Sequence, residues 1–265
     1  MKRISTFLVF ALMLLPVMGI AADNELTPKE KAQGWQLLFD GKDYTGWKNN
    51  NDQPIASAVE DNAMQTYNCG GYILTYDKPF SDFILKCDVK MDETCNSGIF
   101  LRMENLADPV NTGFEIQVLT DKPGSEPNVN SCGSLYDVKA PIKAASHGPG
   151  KWDHYEIKFV GKKLNVNLNG VDVVKANLED YKEPGKRDAE GNHKYVLNGQ
   201  PRALNDFATT GYIGFQDHGH KCWYKNVKLL EIKEGDAKAD VSKQTGHRKA
   251  IRRPAFLRGL LQRTR

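Results

Sequence analysis

HYEIKFVGKKLNVNLNGVDVV, residues 154–174, decides the fold. Its apolar residues fall on every second position: Tyr155, Ile157 and Phe159, then Leu164, Val166 and Leu168. A period of two gathers one set of side chains on one face of an extended chain, whereas a helix needs a period near 3.6. Gly161-Lys162 joins the first run to the second, and Asn169-Gly170, the strongest short hairpin signal, follows at once. The stretch therefore reads as consecutive antiparallel strands with one buried and one wet face.

The same pattern extends outward in both directions. In FILKCDVKM (83–91), Phe83, Leu85, Cys87, Val89 and Met91 alternate with Lys86, Asp88 and Lys90. GYILTYD (71–77), SGIFLRM (97–103), FEIQVLT (114–120), GYIGFQD (211–217) and NVKLLEI (226–232) bring the strand count past eight. Thr27-Pro28-Lys29-Glu30 carries the chemistry of a helix start, with Thr as cap, Pro at the first position and Glu three residues on, and Gly34 ends that helix early. No amphipathic helix of useful length competes with the strands before residue 236. Many strands, few helices and frequent turn residues predict an all-β sandwich or jelly roll rather than a βαβ fold. The polar segment 181–206 is too long for a hairpin turn and is expected to be an ordered loop near a functional rim.

The two ends are of different material. Lys2 and Arg3, an apolar run from Phe7 to Met18 and then Gly19, Ala21 and Ala22 have the form of a secretory signal peptide over residues 1–22, cleaved near Ala21/Ala22. A periplasmic or secreted location follows as the expectation. Residues 236–265 form a basic tail, disordered or an amphipathic helix, with Phe256, Leu257, Leu260 and Leu261 spaced to share a helical face and able to make weak contact with a membrane surface. The formal net charge of +3 averages over these segments. Without them the body holds 25 Lys/Arg against 31 Asp/Glu, which argues against a nucleic-acid partner. The body, residues 23–235, reads as one domain. Five cysteines match no zinc spacing, and both disulfides and buried free thiols are open to them.

Alternation also sorts the polar residues. In Phe114-Glu115-Ile116-Gln117-Val118 the apolar set points to the core, so Glu115 and Gln117 leave the opposite face together. The same reading turns Ile99, Leu101 and Met103 inward and Phe100 and Arg102 outward, and turns Ile213 and Phe215 inward with Gln216 and His218 outward. Gly98 and Gly214 leave room for an approaching ligand. Amides and an Arg to bond hydroxyls, an aromatic ring and a Glu/His pair able to move protons are the parts of a sugar site.

The blocks GWQLLFDGKDYTGWK (34–48), NSGIFLR (96–102), GFEIQVLTD (113–121), CGSLYDVKAP (132–141), GKWDHYEIKFVGKKLNVNLNG (150–170) and GYIGFQDHG (211–219), in that order, resemble the 3-keto-disaccharide hydrolase family over about residues 34–232. The resemblance implies a concanavalin A-like jelly-roll β-sandwich of two curved antiparallel sheets with a carbohydrate cleft. It also implies cleavage of 3-keto-glycosides by C2 proton abstraction and elimination at C1, with or without rehydration; a non-catalytic carbohydrate-binding module of the same fold is the alternative. Carried onto this chain, it makes Glu115, His218 and Arg102 the catalytic candidates. Gln117, Asp121, Tyr136, Gln216, Phe100 and Trp47 are the candidates for substrate binding. A divalent metal ion is the one cofactor to consider, with Glu115, His218, His220 and Asp121 as candidate ligands.

Overall fold

The computed structural model describes residues 22–185, 196–197 and 200–233; residues 1–21 of the signal-like leader, the middle of the expected 181–206 loop and the basic tail lie outside the described residues. The first element is α1 (Pro28–Gln33), whose Thr27 hydroxyl accepts from the Glu30 N–H while the Glu30 carboxylate takes the Thr27 N–H. Gly34 closes the helix in the left-handed conformation. Among the described residues fifteen strands follow: β1 (Gln36–Leu37), β2 (Trp47–Asn49), β3 (Val59–Glu60), β4 (Ala63–Gln65), β5 (Ile73–Tyr76), β6 (Phe83–Met91), β7 (Asn96–Met103), β8 (Phe114–Leu119), β9 (Trp152–Val160), β10 (Lys163–Leu168), β11 (Val171–Asn177), β12 (Val196–Leu197), β13 (Gln200–Pro201), β14 (Tyr212–Gln216) and β15 (Cys222–Glu231). A one-turn helix, α2 (Pro109–Thr112), lies between β7 and β8.

The strands build a jelly-roll sandwich of two antiparallel sheets. One runs β11-β10-β9-β6-β15-β4-β3, with β1 added on β15, and the other runs β2-β5-β14-β7-β8; β12 and β13 pair separately. The opening stretch forms β9, β10 and β11, with Leu164 opposite Phe159 and Val166 opposite Ile157. The main core lies between the sheets. Leu85, Ile157 and Val166 come from one side, Ile99, Ile116 and Phe215 from the other, and all six are fully buried. Strand β6 shows the cause plainly, since each apolar residue read from the sequence is buried and each polar one between them is partly exposed.

Inside the sandwich, aromatic rings and a polar tie align the five-stranded sheet. Trp47 stacks on Phe215 at 5.3 Å between ring centroids, and Phe215 stacks on Tyr224 at 4.0 Å. The Ser97 hydroxyl donates to the Gln216 carbonyl at 2.8 Å and is also 2.8 Å from the Tyr224 hydroxyl, which holds β7 to β14 and both to the opposite sheet. All five cysteines are buried free thiols. Burial raises the Cys132 thiol to about 12.

One irregularity changes which side chains face out. Tyr212 pairs with Met103 and Gly214 with Phe100, so Leu101 and Arg102 together oppose Ile213 in a β-bulge, and Arg102 takes a positive φ of 51°. Alternation slips by one residue there. Met103, expected inside, turns outward onto Phe100 and Ile73 in a second small apolar cluster. Arg102, expected outside, turns inward and is 1% exposed. It donates to the carbonyls of Ser81, Gly161 and Phe159 and to Asp82, and its guanidinium lies 3.6 Å from the Phe159 ring centroid. Burial lowers it to about 10, still far above neutrality, so it stays charged.

Candidate active site

The outer face of the five-stranded sheet brings several of the sequence candidates together. In β8, Phe114, Ile116 and Val118 enter the core, and Glu115 and Gln117 leave by the other face. Gly98 in β7 lies opposite Gln117, and Phe100 opposite Glu115. On the other side of β7, Phe215 pairs with Ile99, which brings Gln216 beside Gly98. One row across the sheet is therefore Gln117, Gly98 and Gln216. The next is Glu115, Phe100 and Gly214.

Gly98 has a specific reason to be glycine. A Cβ there would lie 2.8 Å from the Glu115 Cδ and closer still to its Oε1. The Glu115 carboxylate is thus folded across Gly98, between the two glutamines. The room expected at Gly98 is taken by Glu115 itself, and the room at Gly214 by Ile73 and Met103.

A loop completes the face along the free edge of β8. The Gln117 N–H donates to Ser134 O at 3.0 Å, the Tyr136 N–H donates to Glu115 O at 2.9 Å, and Leu135 bridges to Ile116. Leu135 is buried in the core, so Ser134 and Tyr136 on either side of it accompany Gln117 and Glu115 on the outer face. Asp121, just past β8, accepts from the Cys132 N–H at 3.0 Å and steadies the same loop; burial raises its carboxyl.

The row is buried yet incompletely satisfied. Gln117 donates from Nε2 to Asn96 Oδ1 at 3.2 Å, and Gln216 donates from Nε2 to the Tyr72 hydroxyl. Among the described residues the Oε1 atoms of Gln117 and Gln216 and the Oγ of Ser134 have no hydrogen-bond partner, although Gln117 and Gln216 are each 3% exposed and Ser134 is fully buried. A buried polar atom left unpaired costs about 1–3 kcal/mol, so three in one row call for an explanation. A ligand rich in hydroxyls supplies one, because each hydroxyl can donate to an amide or hydroxyl oxygen.

Tyr72, absent from the sequence candidates, stands at the head of β5 over this row. Its N–H donates to Asn50 Oδ1 at 2.7 Å and its carbonyl accepts from the Asp217 N–H at 2.9 Å. Desolvation, reinforced by the negative charge of Glu115, pushes its hydroxyl up to about 12. His218 is exposed at the rim with its ring centroid 6.3 Å from that of Tyr72. No periodic pattern flags Tyr72, since its position depends on Asn50, far away in sequence.

Other candidates lie elsewhere or are covered. Arg102 is on the core side, for the bulge reason given above. Trp47 is a core residue, 6% exposed, whose indole N–H donates to the Leu38 carbonyl at 2.7 Å. Phe100 faces outward as expected but is fully buried, packed in the small cluster with Ile73, Met103, Tyr72, Leu106 and Tyr212. His220 Nδ1 pairs with the Thr94 hydroxyl at 3.2 Å. Among the described residues no group of three or more His, Cys, Asp or Glu side chains is gathered to hold a metal ion. Glu115, His218, His220 and Asp121 thus do not form a ligand set.

Comparison with known proteins adds the chemical context. Residues 34–230 match the 3-keto-alpha-glucoside-1,2-lyase-like domain. A 3-keto-disaccharide hydrolase of Bacteroides thetaiotaomicron is 24% identical over 231 residues, 75% of this chain and 78% of that protein. Among solved structures, a candidate glycosyl hydrolase from Parabacteroides distasonis superposes with a TM-score of 0.65 at 27% identity, covering 80% of this chain and all of the other. A second candidate glycosyl hydrolase from that organism gives 0.57 at 23% identity, covering 75% of this chain and 99% of the other, and supports the fold.

Proposed function

Because the chain belongs to the 3-keto-alpha-glucoside-1,2-lyase-like family, we propose that it cleaves glycosides whose sugar ring carries a ketone at C3. The observation that carries this reading is the Glu115 carboxylate folded over Gly98, flanked by the unpartnered amide oxygens of Gln117 and Gln216. The glutamines, with Ser134 and Tyr136, hold ring hydroxyls. Glu115 is the base. A C3 ketone acidifies the neighbouring C2 proton, so a carboxylate can remove it and leave an enolate. The enolate electrons re-form the carbonyl as the C1–O bond breaks and a C1–C2 double bond forms. The departing oxygen takes a proton through His218 at the rim, and the proton on Glu115 returns to solvent. Water then adds its hydroxyl at C1 and a proton at C2, completing a net hydrolysis. One base suffices, so no second carboxylate at a set distance is required, as it is in an ordinary glycosidase.

Cleavage in deuterium oxide tests the route. Elimination followed by hydration places one solvent deuterium at C2 of the released 3-keto-sugar, read by mass spectrometry. The label is read in a single turnover, before released 3-keto-sugar can exchange, and product without deuterium would point to direct displacement at C1 and remove Glu115 from the role of base.

A further inference from the structure

The reaction just proposed needs a group to hold the enolate oxygen, and the inward turn of Arg102 leaves that role unfilled. We propose that Tyr72 fills it, its hydroxyl donating a hydrogen bond to the ketone oxygen of the substrate as that oxygen becomes negative. This assignment rests on the 3-keto-glycoside reading and deepens it.

Three observations converge. First, the Tyr72 oxygen already accepts a hydrogen bond from Gln216 Nε2. The hydroxyl proton is therefore directed away from Gln216, and a phenol has only that one to give. Second, Tyr72 is fixed from both sides of its peptide unit: Asn50 Oδ1 accepts from the N–H of Tyr72 at 2.7 Å and of Ile73 at 3.0 Å, while the Tyr72 carbonyl is held by Asp217. Asn50 is itself anchored through Nδ2 to Leu106 O at 3.2 Å. Preorganised donors of this kind contribute most to stabilising developing charge, because they need no rearrangement when the charge appears. Third, burial and the nearby Glu115 carboxylate hold the hydroxyl at about 12, so at neutral pH it remains a neutral donor beside a base that is taking a proton. Glu115 and Tyr72 thus divide the labour: one accepts the C2 proton, and the other steadies the charge that this leaves on the oxygen at C3.

The experiment uses the full chain and its Tyr72→Phe variant with two readouts. One is turnover of a 3-keto-glucoside. The other is exchange of the C2 proton of free 3-keto-glucose in deuterium oxide, which passes through the same enolate but has no leaving group. Loss of the donor should lower kcat and the exchange rate together, by about 10²–10³-fold, with KM within a few-fold and the melting temperature lower only by the few degrees that leaving Gln216 Nε2 unpaired costs. Gln216→Leu, which keeps Tyr72 but removes the bond that directs its proton, should lower both rates by a smaller factor and serves if Tyr72→Phe does not fold. Unchanged rates would overturn the assignment. So would a rise in KM alone, which marks a hydroxyl binder, or slowed cleavage with normal exchange, which marks a proton donor to the leaving group. If the wild-type protein shows neither cleavage nor exchange, the 3-keto reading itself falls and Tyr72 loses its role with it.

Discussion

Arg102 is the residue where pattern and structure part most sharply. Its neighbours alternate cleanly, and strict alternation sends it to the ligand side. The bulge sends it instead into a cage of three carbonyls, Asp82 and the Phe159 ring. A residue so placed stabilises the fold and does not touch substrate. Arg102→Met should cost about 3 kcal/mol, since it leaves three carbonyls and the part-exposed Asp82 without their donor, and chemical denaturation would measure this. Below its melting temperature the variant should keep the KM of the parent, and a large selective loss of kcat with intact stability would return Arg102 to the site. Glu115, Gln117 and Gln216 were legible on the outer face because each directly follows a core residue in a regular strand. Tyr72 was not, because a loop and a side chain from β2's far end position it.

At the scale of elements, the site depends on the edge that the Ser131–Tyr136 loop adds to β8. Its sequence, SCGSLY, shows no regular alternation, with Cys132 and Leu135, three residues apart, as its buried core positions. The place of Ser134 on the outer face therefore follows from its pairing with Gln117 and not from its sequence. An unpaired buried hydroxyl opposes folding and favours binding, so the two effects of its removal should have opposite sign. Ser134→Ala should leave stability unchanged or raise it by about 1 kcal/mol, while the KM for a 3-keto-glucoside rises several-fold. Lower stability with unaltered KM would mean that Ser134 serves the fold. The bulge in β7 lies at the same level: no residue in SGIFLRM announces it, since a positive φ is uncommon for Arg and the cage that tolerates it comes from β9 and the turns around it.

At the scale of the whole molecule, the long strands, pairing in the 154–174 meander and the two-sheet sandwich were readable, because burial of one face repeats at every second residue, whereas strands of two or three residues such as β1 and β3 are too short to show that period. Sheet order was not, being set by contacts between strands far apart in the chain. The eight-stranded sheet is tied at its ends by carboxylates. Glu60 in β3 accepts from the Trp223 indole and Lys221, and Glu231 at the end of β15 from Lys78 and Gln36. Those bonds lower both carboxyls in the folded state. A lowered folded-state pKa gives stability that is complete above the ordinary carboxylate value of about 4 and is lost as pH falls through the folded-state values. The melting temperature should thus hold from neutrality to about pH 5 and fall below about pH 4, with a shallower fall in Glu60→Gln. An identical acid slope in that variant would show that Glu60 is not among the groups responsible.

On the proposed function, Glu115 begins cleavage by removing a proton that only a C3 ketone makes acidic. The most direct test compares a 3-keto-glucoside with the same glucoside unoxidised, using the wild-type protein and Glu115→Gln. Wild type should release 3-keto-glucose from the first and leave the second intact, and Glu115→Gln should lose activity by about 10²–10⁴-fold while remaining folded. Equal cleavage of the unoxidised glucoside, or full activity in Glu115→Gln, would contradict it.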